Sequence, residues 1–112
     1  MSEKDKVSVK ASALLAYLSG HIGRERGVSV KVIAAWFGWT PREVRLMVTE
    51  LRERGHALCG HPKSGYYIAE TPEEVDEACN FLHARAMRSL TLIARIRKIA
   101  LPDLLGQLKL RT

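Results

Sequence analysis

The sequence predicts a mainly α fold that carries one small β-hairpin and ends in a long helix. Three observations predict it: two short amphipathic segments hinged at Gly38-Trp39-Thr40, two strand-like runs on either side of His61-Pro62-Lys63-Ser64-Gly65, and a stretch from Pro72 with no helix breaker before Pro102. Length agrees, because 112 residues suffice for one domain with a modest core and no metal or disulfide staple.

Ala11, Leu14, Leu15, Leu18 and Ile22 recur at helical spacing behind Ser8, a suitable N-cap, and define the first helix. Gly20 to Gly27 is a polar loop, after which Val28 forms a minimal strand and Ser29 caps the second helix. There Val30, Ile33, Ala34 and Phe37 fall on one face, and Ala34 is small where another helix must cross closely. Gly38 supplies a left-handed helix end. Thr40 then caps the third helix, Pro41 suits its first position, and Glu43 stands where a capping-box acid reaches back to the cap. Val44, Met47, Val48 and Leu51 form its buried stripe. Arg42, Arg45, Leu46, Thr49 and Glu53 therefore point away from the core.

Beyond Gly55, the runs Ala57–Gly60 and Tyr66–Ala69 read as two strands joined by a Pro, Ser and Gly-bearing loop. Thr71-Pro72-Glu73-Glu74 repeats the start signal of Thr40 to Glu43, so a helix begins at Pro72, its early acids matched to the dipole. With no breaker before Pro102 it runs close to Ala100, about 40 Å. Leu82, Ala86, Ser89, Ile93, Ile96 and Ala100 follow a 4-3-4-3-4 spacing like a coiled-coil seam. Apolar surface beyond the reach of one domain predicts a homodimer, with Leu90, Ile93, Ile96 and Ala100 in its contact. The alternative is a hairpin in which Leu104, Leu105 and Leu108, in the tail Leu101 to Leu110, fold back after Pro102 onto the same stripe. The domain reading is 8–70 for the hinge-and-hairpin domain and 71–112 for the long helix and tail.

The composition, 46% hydrophobic and 27% charged, is that of a soluble globular protein. No apolar run approaches the roughly 18 residues of a membrane span, and the charged start Met1 to Lys6 leads into no signal-peptide core. The expected location is the cytoplasm, with no membrane partner. The net charge of +6 is uneven: eleven basic and eleven acidic residues balance up to Ala84, and seven basic residues against Asp103 alone follow from Arg85. Such a basic end suits a polyanion, although a solvated helix face reads the same way.

Catalytic signals are absent: no phosphate-binding Gly-rich loop and no nucleophile elbow occurs, so the expectation is a non-enzyme without cofactor. Cys59 with His61 and Cys79 with His83 each share a face and could in principle meet on zinc. Core packing is the better account, since Cys79 fits the apolar stripe of Val75, Ala78 and Leu82; free thiols and no metal are expected. Trp36 and Trp39 could stack single-stranded bases, but both flank the hinge, where packing is expected.

The run Thr40-Pro-Arg-Glu-Val-Arg-Leu-Met-Val-Thr-Glu-Leu-Arg-Glu-Arg-Gly55, then a hairpin closing on Ser64-Gly65-Tyr66-Tyr67-Ile68, resembles the winged helix-turn-helix family. It is similar in particular to the N-terminal DNA-binding domain of the biotin operon repressor, over roughly Ala11 to Ala69. The ending Gly65-Tyr-Tyr-Ile-Ala-Glu-Thr-Pro-Glu-Glu74 before a long basic helix looks like small winged-helix proteins of phages and prophages. Unlike the repressor, the protein is expected to carry no ligase or other effector domain.

The resemblance implies sequence-specific binding of double-stranded DNA and a role in transcription regulation, with recognition helix 41–54 in the major groove and wing 57–69 on flanking DNA. It assigns Arg42, Arg45, Leu46 and Thr49, with Thr40 at their head, to the recognition face, and Lys63 with Ser64 to the wing tip. Arginine can fork onto guanine, and a wing lysine can reach phosphate. The rival is a replication-associated phage or prophage adaptor that uses the same fold to dock a protein. Glu50 and Glu53 near the recognition face keep that rival open.

Overall fold

A computed structural model describes residues 8–109; the charged start Met1 to Lys6 and the last tail leucine, Leu110, lie outside the described residues. The elements run α1 (Val9–Leu18), a 3-10 turn (Arg24–Arg26), α2 (Val30–Phe37), α3 (Pro41–Glu53), β1 (Leu58–His61), β2 (Gly65–Ile68), α4 (Pro72–Arg97) and α5 (Leu101–Gln107). This is a winged helix-turn-helix followed by a long helix. The chain divides into two compact units, Met1–Ala78 and Cys79–Thr112, so the first turns of α4 go with the first unit.

Caps set the ends of the first three helices. The Ser8 hydroxyl accepts from the Ala11 N–H at 3.1 Å, Ser29 from Val32 at 3.2 Å and Thr40 from Glu43 at 3.1 Å. Helix α1 ends at Leu18, earlier than the apolar spacing predicts: Ile22 leaves the helix and bridges Ile68 instead. Gly38 closes α2 in the left-handed region at φ +69, and the Trp39 N–H turns back to the Ala34 carbonyl at 2.9 Å.

The core joins α1, α2, α3 and the hairpin through Ala11, Leu14, Leu18, Ile33, Val44 and Leu51, with Val28 and Leu58 at its sheet side. The strands pair antiparallel with Leu58 opposite Ile68 and His61 opposite Gly65. Val28 adds the minimal third strand expected of it, exchanging both backbone bonds with Tyr66 at 2.9 and 2.7 Å.

Glu74 anchors the start of α4 within the first unit. Thr71 caps the Glu74 N–H at 3.2 Å, while the Glu74 carboxylate accepts the backbone N–H groups of Glu70 at 2.8 Å and Arg24 at 3.1 Å. These donors, Glu70 foremost and then Arg24, hold the carboxyl below the usual carboxylate range. Arg24 also forms an ion pair with Glu77.

In the second unit α4 stops at Arg97, short of the predicted Ala100. The Lys98 N–H bonds the Arg95 carbonyl and the Ile99 N–H bonds the Ala94 carbonyl, a Schellman closure with Lys98 in the left-handed region at φ +57. Ala100 is extended and caps α5. Ala94, Leu104 and Leu105 are buried in this unit, with Met87, Leu90 and Thr91 half-buried on the same stripe of α4 as Ala94. This burial favours the fold-back of α5, although Leu108 remains exposed.

Candidate nucleic-acid interface

Helix α3 buries Val44, Val48 and Leu51, half-buries Met47, and turns its opposite side to solvent. The exposed side brings together Arg42, Arg45, Leu46 and Thr49, one turn apart along the helix, with Thr40 exposed at its head. Leu46 is 52% exposed, an apolar surface beside two guanidinium groups. Among the described residues neither Arg42 nor Arg45 has an ion-pair partner. The Thr49 hydroxyl donates to the Arg45 carbonyl at 3.0 Å, which leaves its oxygen free to accept.

The acids of α3 are largely spoken for by α1. The Glu43 carboxylate meets Lys10 Nζ at 3.0 Å in place of the predicted return to its cap, and the Glu50 carboxylate accepts from the Ser8 hydroxyl at 2.6 Å. Both partners lie more than thirty positions away in sequence, so no local pattern could have pointed to them. Glu53 alone stays exposed on the arginine-bearing side, in the last turn. The effect is a face with two arginines unpaired among the described residues at its N-terminal half, next to the positive end of the helix dipole.

The hairpin turn is tighter than predicted: β1 extends to His61 and β2 starts at Gly65, so only Pro62, Lys63 and Ser64 connect them. The Lys63 N–H donates to His61 Nδ1 at 3.1 Å, which steadies the turn while Lys63 itself stays exposed. Ser64 is half-buried, and its carbonyl faces Gly27 so closely that no side chain fits there. Arg52 joins α3 to β1, its Nε donating to the Leu58 carbonyl at 2.8 Å.

Other candidates fare differently. Cys59 is 2% exposed and its thiol donates to the Glu74 carbonyl at 3.6 Å. Cys79, expected in a core, is exposed, because the stripe of Val75 and Leu82 beside it is itself 37% and 43% exposed. No group of three His, Cys, Asp or Glu side chains among the described residues could hold a metal ion. Trp39 packs as expected, its ring stacked on Phe37 at 4.2 Å. Trp36 does not: it is 71% exposed, its ring tilted against that of Tyr17 with centroids 5.7 Å apart. The helix turns Val30, Ile33, Ala34 and Phe37 to the core, and Trp36 falls outside that stripe. Of the expected dimer residues, Ile93 and Ile96 are exposed, Leu90 is half-buried, and Ala100 has left the helix.

No family model, curated protein or solved structure matches the chain. Among the described residues, no helix is long and apolar enough to cross a membrane.

Proposed function

We propose that the protein is a sequence-specific double-stranded DNA-binding protein of bacterial or phage origin, a cytoplasmic transcriptional regulator that works as a homodimer. Helix α3 enters the major groove, and the wing turn at Lys63 and Ser64 lies on flanking DNA. The observation that carries this reading is the outer face of α3. Among the described residues Arg42 and Arg45 stand exposed without acidic partners, while Glu43 and Glu50 are engaged by Lys10 and Ser8. Guanidinium groups held this way can fork onto guanine O6 and N7. The resemblance of residues 40–68 to the biotin repressor's DNA-binding domain supports the same assignment.

The test is selection of bound sequences from a random duplex pool with the full chain. Enrichment of a consensus made of two related half-sites supports a dimeric regulator. Absence of enrichment favours the second reading, an adaptor that docks a replication or transcription protein. One observation speaks for that reading: Trp36, 71% exposed, and Val32, 52% exposed, lie one turn apart on α2.

A further inference from the structure

Helix α4 carries two apolar stripes. The stripe of Met87, Leu90, Thr91 and Ala94 is where burial in the second unit is concentrated. The other, Cys79, Leu82, Ala86, Ser89, Ile93 and Ile96, is exposed throughout, with Leu82 at 43%, Ile93 at 38% and Ile96 at 79%. A face of this length in water calls for a partner.

Its spacing asks for a second helix. The six positions follow a 3-4-3-4-3 pattern, the alternating core positions of a heptad repeat, and that pattern reads the same from either end about a centre between Met87 and Arg88. Two copies laid antiparallel set Cys79 against the partner's Ile96, Leu82 against the partner's Ile93 and Ala86 against the partner's Ser89. Large residues meet on the flanks and small ones at the middle, where helix axes can approach most closely.

Charge selects the antiparallel sense. All acids of α4 lie between Glu73 and Glu77, and all its arginines between Arg85 and Arg97. Along one edge of the seam Asp76, His83, Leu90 and Arg97 recur every seven residues. In the antiparallel pair this edge faces its own copy, which places Asp76 opposite the partner's Arg97 twice; Asp76 and Arg97 are both exposed. A parallel pair instead matches Ala78 with His83, Arg85 with Leu90 and Leu92 with Arg97, and brings no acid to a base. We propose that two copies of this chain associate through an antiparallel α4 to α4 contact along the Cys79 to Ile96 seam. The inference rests on the homodimer reading above and adds its interface and direction.

The full-length Ile96→Cys variant tests it through the native Cys79. After mild oxidation and peptide mapping, the expected product is a covalent dimer with Cys79 of one chain bonded to the introduced thiol of the other, while wild type forms no Cys79 to Cys79 link. Links between like positions would show a parallel pair and overturn the proposal. A dimer by sedimentation without any crosslink in this variant would place the interface elsewhere and overturn it too. A monomer at tens of micromolar would instead remove the homodimer reading itself. A charge swap provides the second measurement: Asp76→Arg should weaken the dimer roughly tenfold, and Asp76→Arg with Arg97→Asp should restore it. No recovery in the double variant would refute the antiparallel pairing of those two residues.

Discussion

Three glycines in the first unit separate two reasons for lacking a side chain, and alanine at each gives a graded expectation. Gly38 is left-handed at φ +69, and a Cβ there would meet nothing within 4 Å, so Gly38→Ala carries only the conformational penalty, about 1–2 kcal/mol. Gly27 has an ordinary φ of −57, but a Cβ there would overlap the Ser64 carbonyl. Gly27→Ala is purely steric, and because the obstacle is backbone the strain should be about 1–3 kcal/mol. Gly65 combines both: φ is +79, and a Cβ would run into the Val28 carbonyl, which accepts the Tyr66 N–H at 2.7 Å. Gly65→Ala should therefore destabilise by about 2–5 kcal/mol, a large share of the stability of a typical domain. Urea unfolding followed by far-ultraviolet circular dichroism, with slopes compared across the series, measures all three. Gly65→Ala no more destabilising than Gly38→Ala, or Gly27→Ala indistinguishable from wild type, would refute the packing of the wing against the strand before α2.

Further expectations concern binding and acid stability. Arg42→Ala and Arg45→Ala should each weaken binding to a selected duplex by roughly 1–3 kcal/mol with the circular dichroism spectrum unchanged; Thr49→Ala should lose less, its hydroxyl proton being already committed to Arg45. Equal binding by wild type and the double arginine variant would sink the recognition assignment. Lys63→Ala should weaken binding evenly across sequences and lower the salt slope by about one, and an altered consensus would mean that the wing reads bases. The Glu74 carboxyl has a lowered pKa in the folded chain, so its contribution is present above the unfolded value, about 4.3, and lost as pH falls through the folded value. Glu74→Gln should accordingly flatten the acid limb of a stability against pH profile, and an unchanged limb would show that the two backbone donors do not hold that charge.

The elements most legible in the sequence are those whose signals are local. Ser8, Ser29 and Thr40 each cap the helix that follows within three residues, and Gly38 stops α2 where a left-handed residue is needed. The outer face of α3 follows from the same periodicity that buries Val44, Val48 and Leu51. What escaped depends on distant or atypical partners. The Glu43 carboxylate bonds Lys10 rather than reaching back to the Thr40 N–H because α1 packs across α3. The end of α4 gave no glycine to read, since Lys98 takes the left-handed position that glycine usually fills. Trp36 looks like a core residue by type, yet it lies off the stripe of Val30, Ile33, Ala34 and Phe37 that α2 turns inward.

The unequal surroundings of the two tryptophans make the molecule its own optical gauge. Trp39 lies flat on Phe37 with Lys10 Nζ 5.7 Å from its ring, immediately before the residue that caps α3. Trp36 stands three positions earlier, open to collisional quenchers. Iodide should darken Trp36 first and leave an emission that belongs mainly to Trp39. Any event that shifts the hinge between α2 and α3 can then be followed without a label, separately from events on the outer side of α2.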